Sequence, residues 1–319
     1  MRRRDKIEQM LQAARMYYQD DLGQQEVAAN LNVSRQTVSR LLREARAQGI
    51  VQVRISDPFA TDPDLEARFQ AAFSLRQLVL TPGAGLSASA LRLRLGVAGA
   101  EYLAQTVQDD WLVGLGWGRT LHEVITALNT ERQVNVQTIP LIGGIGQLAP
   151  SFQVNDLARR LAEAFGGSWR ALYAPAFMDD RAAWGTLVAL KDVQQVARLW
   201  PQMQMALVGI GQFELQRFAG MFLANSLSQS SLAQFEAADA VGDICGRFYD
   251  SNGRPVDEIG GVIGIGLEQL RKLDNVVGIA GGADKAAAIL GALRGGYLKT
   301  LITDTVAAEQ VLELHGAAR

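Results

Sequence analysis

Apolar residues return every three or four positions along the first fifty residues. Ile7, Met10, Leu11, Ala14 and Tyr18 predict one helix, and Val27, Ala28 and Leu31 face inward on a short second helix from Gln24 to Leu31. Val38, Leu41 and Leu42 predict a third helix, roughly Arg35 to Gln48, ended by Gly49. Between the last two, Asn32 sits where the chain must turn sharply, and Asn tolerates the left-handed conformation such a turn requires. Ser34 is placed to cap the third helix through its hydroxyl. From Ile50 to Ile55 the period falls to two, as in a wing strand beside a helix-turn-helix.

After residue 75 the pattern changes. Short apolar runs alternate with helical stretches. Strands are expected at Gln77–Leu80, Trp111–Leu115, Val134–Ile139, Trp169–Tyr173, Met203–Ile210, Val276–Ala280 and Leu301–Thr303. Helices are expected at Ala88–Gln108, Leu121–Leu128, Asn155–Phe165, Lys285–Leu293 and Val306–Leu314. That alternation predicts an α/β fold, a doubly wound and mainly parallel sheet with helices on both faces. Between the two regions, Ser56–Asp64 holds Pro58 and Pro63, which oppose regular structure. The expected division is a head over 1–56, a linker over 57–64 and a body over 65–319.

Composition narrows the class. The 319 residues are 48% hydrophobic and 20% charged, the balance of a core-forming globular protein. One cysteine, Cys245, and two histidines, His122 and His315, argue against a disulfide scaffold and a Cys- or His-rich metal site, so no metal and no cofactor are expected. The start MRRRDKIEQM has no apolar core behind its charges, and no apolar run is long enough to span a bilayer, so a cytoplasmic protein without a membrane partner is expected. The charge is uneven. Residues 1–54 carry ten basic and six acidic side chains, +4, while the remainder carries twenty-one and twenty-seven, −6. A basic head on an acidic body suggests that the head alone meets a polyanion, although +4 by itself is also ordinary solvated surface.

The joint pattern of the head is more specific than its charge. A small Ala28, a turn at Asn32 and hydrophobes at Val33, Val38 and Leu41 are the offsets of two steeply crossing helices, the second of which can enter a major groove. Gln24, Gln25, Ser34, Arg35, Gln36, Thr37, Ser39, Arg40 and Arg43 are the candidate DNA contacts. Arg suits guanine, Gln suits adenine and hydroxyls suit phosphate. The bland alternative is a three-helix bundle with a polar face.

In the body, glycine turns follow apolar strands. Gly114-Leu-Gly116-Trp-Gly118-Arg119-Thr120 would expose backbone N–H groups to an anion, and Gly281-Gly282 before Lys285 would add a cation. Taken singly, each turn is more often only a tight connection. Two on one sheet strengthen the ligand reading, as does the rarity of lysine, of which the chain has five. The candidate effector residues are Gly116, Gly118, Arg119, Thr120, Gly143, Gly144, Asn155, Asp156, Gly211, Asp243, Gly281, Gly282 and Lys285, expected to converge at the carboxyl edge of one sheet. No Gly-x4-Gly-Lys loop, Gly-x-Gly-x-x-Gly or Gly-x-Ser-x-Gly is present. Cys245 reads by default as a buried structural thiol.

These residues, in this order, resemble bacterial sugar-responsive transcription regulators of the SorC/DeoR family. The resemblance rests on Gln25–Ala28, Val33–Leu42, the Gly114–Thr120 turn, Pro140–Gly144, Asn155-Asp156-Leu-Ala-Arg-Arg-Leu-Ala, Val208–Gly211, Ala240–Asp250 and Gly281 through Lys285 to Asp304. It implies a winged helix-turn-helix followed by a domain similar to ribose-5-phosphate isomerase and glucosamine-phosphate deaminase. It also implies operator DNA and a sugar or phosphosugar effector as partners, a homodimer or homotetramer, and no catalytic residues. Several phosphosugar-responsive members carry Arg or Lys just before the Gly-Gly pair, where this chain has Ile142. The resemblance therefore implies an effector with one phosphate at most, or an uncharged polyol. The alternative is a phosphosugar isomerase with an appended head, with Asp243, Asp284 or Glu258 as general base.

Overall fold

The computed structural model describes residues 3–18, 20, 22–51, 63–145, 152–214, 229–256 and 261–317. Backbone contacts divide the chain into two compact units, Met1–Pro58 and Phe59–Arg319.

The first unit holds three helices, α1 (Arg3–Tyr18), α2 (Gln24–Asn30) and α3 (Arg35–Ala47). They close on one core of Met10, Ala13, Ala14, Val27, Ala28, Val38, Leu41, Leu42 and Ala45. Asn32 takes φ 51°, the left-handed turn its position requires. The Ser34 hydroxyl accepts from Thr37 N–H at 3.1 Å and caps α3. Only part of the apolar stripe expected on α1 turns inward. Met10 and Ala14 are buried, whereas Ile7, Leu11 and Tyr18 remain 37–39% exposed. Ile50 and Val51 pack against the head core as bends, and the rest of the expected wing lies outside the described residues.

The second unit opens with α4 (Pro63–Ala72) and is built on a seven-stranded sheet, parallel at every pairing. Its strands are β1 (Gln77–Thr81), β2 (Leu112–Leu115), β3 (Gln137–Pro140), β4 (Ser168–Trp169), β6 (Met205–Gly209), β11 (Val276–Ile279) and β12 (Thr300–Asp304), in the spatial order β1-β12-β11-β6-β2-β3-β4. Both faces are covered. Met205 and Leu207 of β6 enter one core while Ala206 and Val208 enter the other, so alternate residues of one strand serve opposite layers. The connecting helices include α5 (Ala88–Thr106), α6 (Arg119–Ala127), α7 (Val154–Phe165), α12 (Ala286–Arg294) and α13 (Thr305–Ala317). From β2 the chain moves outward through β3 to β4. It then returns to the other side of β2 at β6 and moves the opposite way. The junction of β2 and β6 is therefore the switch point, where open α/β sheets leave a crevice beyond the strand ends.

Two features depart from the expected pattern. The strand at Trp169–Tyr173 shrinks to Ser168–Trp169, because Leu172 turns its backbone N–H and C=O to the Asn155 side chain, at 2.9 and 3.2 Å, instead of a neighbouring strand. Smaller antiparallel pairings also appear. β7 (Gly211–Gln212), β8 (Ala240–Ile244) and β9 (Arg247–Asp250) form one sheet, and β5 (Phe177–Met178) pairs with β10 (Gly261–Val262). The β8–β9 turn places both Cys245 and Gly246 at positive φ, the backbone of a tight hairpin.

Candidate functional site

On the head, α3 presents Gln36, Arg40 and Arg43 at spacings of four and three, one exposed stripe, with Arg35 exposed beside it. Gln25 is exposed and Gln24 half-buried at the start of α2. Thr37 and Ser39 are half-buried. The Ser34 and Thr37 hydroxyls lie 2.9 Å apart in a mutual hydrogen bond at the cap. Their first role is thus to begin the helix. Arg46, which sequence reasoning passed over, donates to the Tyr18 hydroxyl and ties α3 to α1.

In the body, a cavity of about 760 Å³ lies beyond the carboxyl ends of β2, β6 and β11. That size suits a small-molecule ligand. Gly118, Arg119 and Thr120 reach it from the turn after β2, and Gly209 and Gly211 from the turn after β6. Gly281, Gly282, Asp284 and Lys285 reach it from the turn after β11, and Asp243 and Cys245 from the β8 hairpin. Eight of the thirteen expected effector residues therefore meet here.

The other five do not. Gly116 is buried beneath the cavity, and its N–H is consumed by Leu207 O at 2.8 Å, so it offers no donor to an anion. Gly143 and Gly144 donate to Ile263 O and Ala174 O, both at 2.8 Å. Asn155 clamps Leu172, and Asp156 pairs with Arg159 at 2.7 Å. Gly144 and Asn155 line a separate, shallower depression of about 430 Å³. The expected convergence of these four with the cavity is corrected: Gly144 and Asn155 hold the Leu172–Ala174 segment, Gly143 bonds to Ile263, and Asp156 is engaged within α7. Ile142 is likewise fully buried in the core, so the absence of a cation at that position says nothing about the charge of this cavity.

Chemistry in the cavity centres on Lys285 and Asp243. Lys285 Nζ donates to Ile210 O at 2.5 Å, and burial lowers its pKa from the ordinary lysine value, opposed by Asp243 and Asp284 and reinforced by Arg119 and Arg92. Asp243 is 5% exposed, and burial pushes its carboxyl up to about 6, opposed by the Gly246 N–H at 3.0 Å and by Lys285. Gly211 is glycine for a steric reason, since a Cβ there would stand 1.8 Å from Asp243 Oδ1. Burial likewise raises the Cys245 thiol far above its ordinary value, which makes it inert packing.

Sequence reasoning missed Arg92, Trp117, Phe152 and Gln212, all of which line the cavity. Arg92 arrives from α5, outside the glycine turns that follow β2, β6 and β11, and no local signal marks it. With Arg92, the lining holds three cations against two carboxylates, one positive charge in excess. One wall is apolar, with Leu91, Leu95, Leu121 and Ile279. The Phe152 ring packs against that of His122, tilted by 45° with 4.5 Å between centroids. Asp304, at the end of β12, was also passed over as a site residue. It is fully buried and accepts from Gly282 N–H at 2.6 Å.

Residues 57–313 match the family described as "Putative sugar-binding domain". Residues 9–48 match sigma-70 region 4. A deoxyribonucleoside regulator from Bacillus subtilis (strain 168) is 31% identical over 303 residues, 94% of this chain and 96% of the relative. A sorbitol operon regulator from Klebsiella pneumoniae is 30% identical over 317 residues, covering 98% and 100% of the two chains. The crystal structure of the full-length sorbitol operon regulator SorC from Klebsiella pneumoniae superposes with a TM-score of 0.79 at 30% identity, over 96% of this chain and 98% of that one. No described helix is long and apolar enough to cross a membrane.

Proposed function

Because the chain belongs to the SorC/DeoR-type family of sugar-binding transcriptional regulators, we propose that the 760 Å³ cavity is its effector site and that the effector is a sugar monophosphate. The observation that carries this reading is the lining of the cavity. Lys285, Arg92 and Arg119 supply charge for one anionic group, while Asp243 accepts from sugar hydroxyls. Thr120 and Gly118 stand at the start of α6, where backbone N–H groups favour an anion. The relatives are named a sorbitol operon regulator and a deoxyribonucleoside regulator, so polyols, pentoses and their monophosphates are the compounds to try first.

The head reads operator DNA through Arg35, Gln36, Arg40 and Arg43, and effector occupancy alters that affinity by preferring one arrangement of the molecule. The protein acts as a homodimer or homotetramer, since one head offers few base contacts. It acts in the cytoplasm and as a regulator, not as a catalyst. The residues 1–56, 57–64 and 65–319 are the proposed head, linker and body.

The test is anisotropy of the full chain on DNA from its own upstream region, titrated with pentoses, hexoses, polyols and their monophosphates. Release or tightening by a monophosphate, with no conversion of the sugar on prolonged incubation, is the expected result. Interconversion would favour the isomerase instead.

A further inference from the structure

We propose that Asp304 is the positioning residue through which occupancy of the cavity reaches the start of the body, a reading that rests on the cavity being the effector site. The two carboxylate oxygens serve different elements. Oδ2 accepts from Gly282 N–H at 2.6 Å, in the loop that carries Lys285 into the cavity. Oδ1 accepts from Val306 and Ala307 N–H, at 3.1 and 3.2 Å, and so caps the first turn of α13. The group is tightly boxed. A Cβ on Gly281 would stand 2.4 Å from Oδ2, and one on Gly83 would stand 2.1 Å from Oδ1. The cavity loop therefore cannot shift without displacing the carboxylate or breaking its bond to Gly282.

From α13 the connection runs to α4. Ala307, Ala308 and Val311 share a core with Leu65, Phe69 and Phe73, and the His315 ring lies 4.8 Å from that of Phe73. α4 begins at Pro63, just after the segment that joins the two units. One buried carboxylate thus links the loop that would touch the effector, the helix that follows the last strand and, through that helix, the element at which the chain enters the body. A ligand that draws Lys285 or the Gly281–Gly282 backbone toward itself biases this linkage by differential contact.

Asp304→Asn keeps the shape but turns an amide donor toward N–H groups. Hydrogen exchange on the full chain, with no ligand added, reads the linkage alone. The expected result is exchange about tenfold faster or more at Gly282, Val306 and Ala307 and also along Leu65–Phe73, with β2 and β3 unchanged. Acceleration that stops at α13, or that spreads equally over β2 and β3, overturns the proposal.

A second arm uses ribose 5-phosphate and glucose 6-phosphate as probes on the DNA complex. Whichever releases the wild type should, at concentrations that saturate Asp304→Asn by calorimetry, still fail to release the DNA. Release equal to wild type overturns the proposal. If neither probe acts on the wild type, these two sugars are removed as effectors, and the exchange result still decides the role of Asp304. Should Asp304→Asn not fold, His315→Ala breaks the same connection at α4. It should spare exchange at Gly282 and still blunt release, and undiminished release overturns the proposal.

Discussion

At the scale of single residues, the cavity concentrates the testable chemistry. A charged hydrogen bond contributes roughly 1.5–3 kcal/mol. Lys285→Ala should therefore weaken a sugar monophosphate on the order of tenfold or more, measured by calorimetry, and an uncharged sugar much less. Asp243 adds a dependence on pH. Its folded value of about 6 stands above the ordinary 3.8, so the folded state holds this proton more tightly than the unfolded chain does. The stability it lends is fully present below about pH 4 and is lost as pH rises through about 6. The wild type should thus lose up to about 3 kcal/mol relative to Asp243→Asn over that window, and the difference should level off above it. Urea unfolding of both proteins from pH 4 to 8 checks this, and parallel curves would show that Asp243 ionises normally. Lys285 and Asp243 were legible in the sequence, since one stands behind a double glycine in a lysine-poor chain and the other in a strand-like stretch. Asn155 misled because its partner, the Leu172 backbone, is a tertiary neighbour that no local pattern announces.

At the scale of elements, α3 separates two kinds of DNA contact. Arg35 lies at its exposed start and Arg43 two turns on. Arg35→Ala should cost about 1–3 kcal/mol on the operator and blur its specificity. Arg43→Ala should weaken operator and random DNA alike and lower the salt slope by about one. Equal losses on both DNAs for both variants would reject the assignment. The turn before α3 offers a stability check. Asn32→Gly should be neutral or mildly stabilising at φ 51°, and Asn32→Val should cost about 1 kcal/mol or more in thermal unfolding of the head. The long helices and most central strands were legible because their periodicity is strong, and their ends moved by only a few residues. The short antiparallel strands β5, β7, β9 and β10 were not, since two to four residues carry no period and are fixed by their partners.

For the whole molecule, the charge asymmetry and the two units agree with separate duties for head and body. The body keeps several large apolar side chains in solvent, among them Leu93, Val97, Trp169 and Tyr173. Single exposed groups of this kind are ordinary surface, so the expectation of self-association rests on the few base contacts that one head offers. Sedimentation of the full chain at micromolar concentration should therefore give a dimer or a tetramer, and a monomer would remove the paired-head reading of the operator.

Strand order also governs how the protein is made. β1, first of the body's strands to leave the ribosome, finds its hydrogen-bonded neighbour only in β12, so that position 77 waits for position 300. Contacts so distant along the chain form slowly. The three-helix head depends on no such delay. A growing chain can therefore carry a folded three-helix head while the sheet still lacks an edge, and messages truncated before β12 would yield heads with no finished body to pair them on the operator or to answer a metabolite.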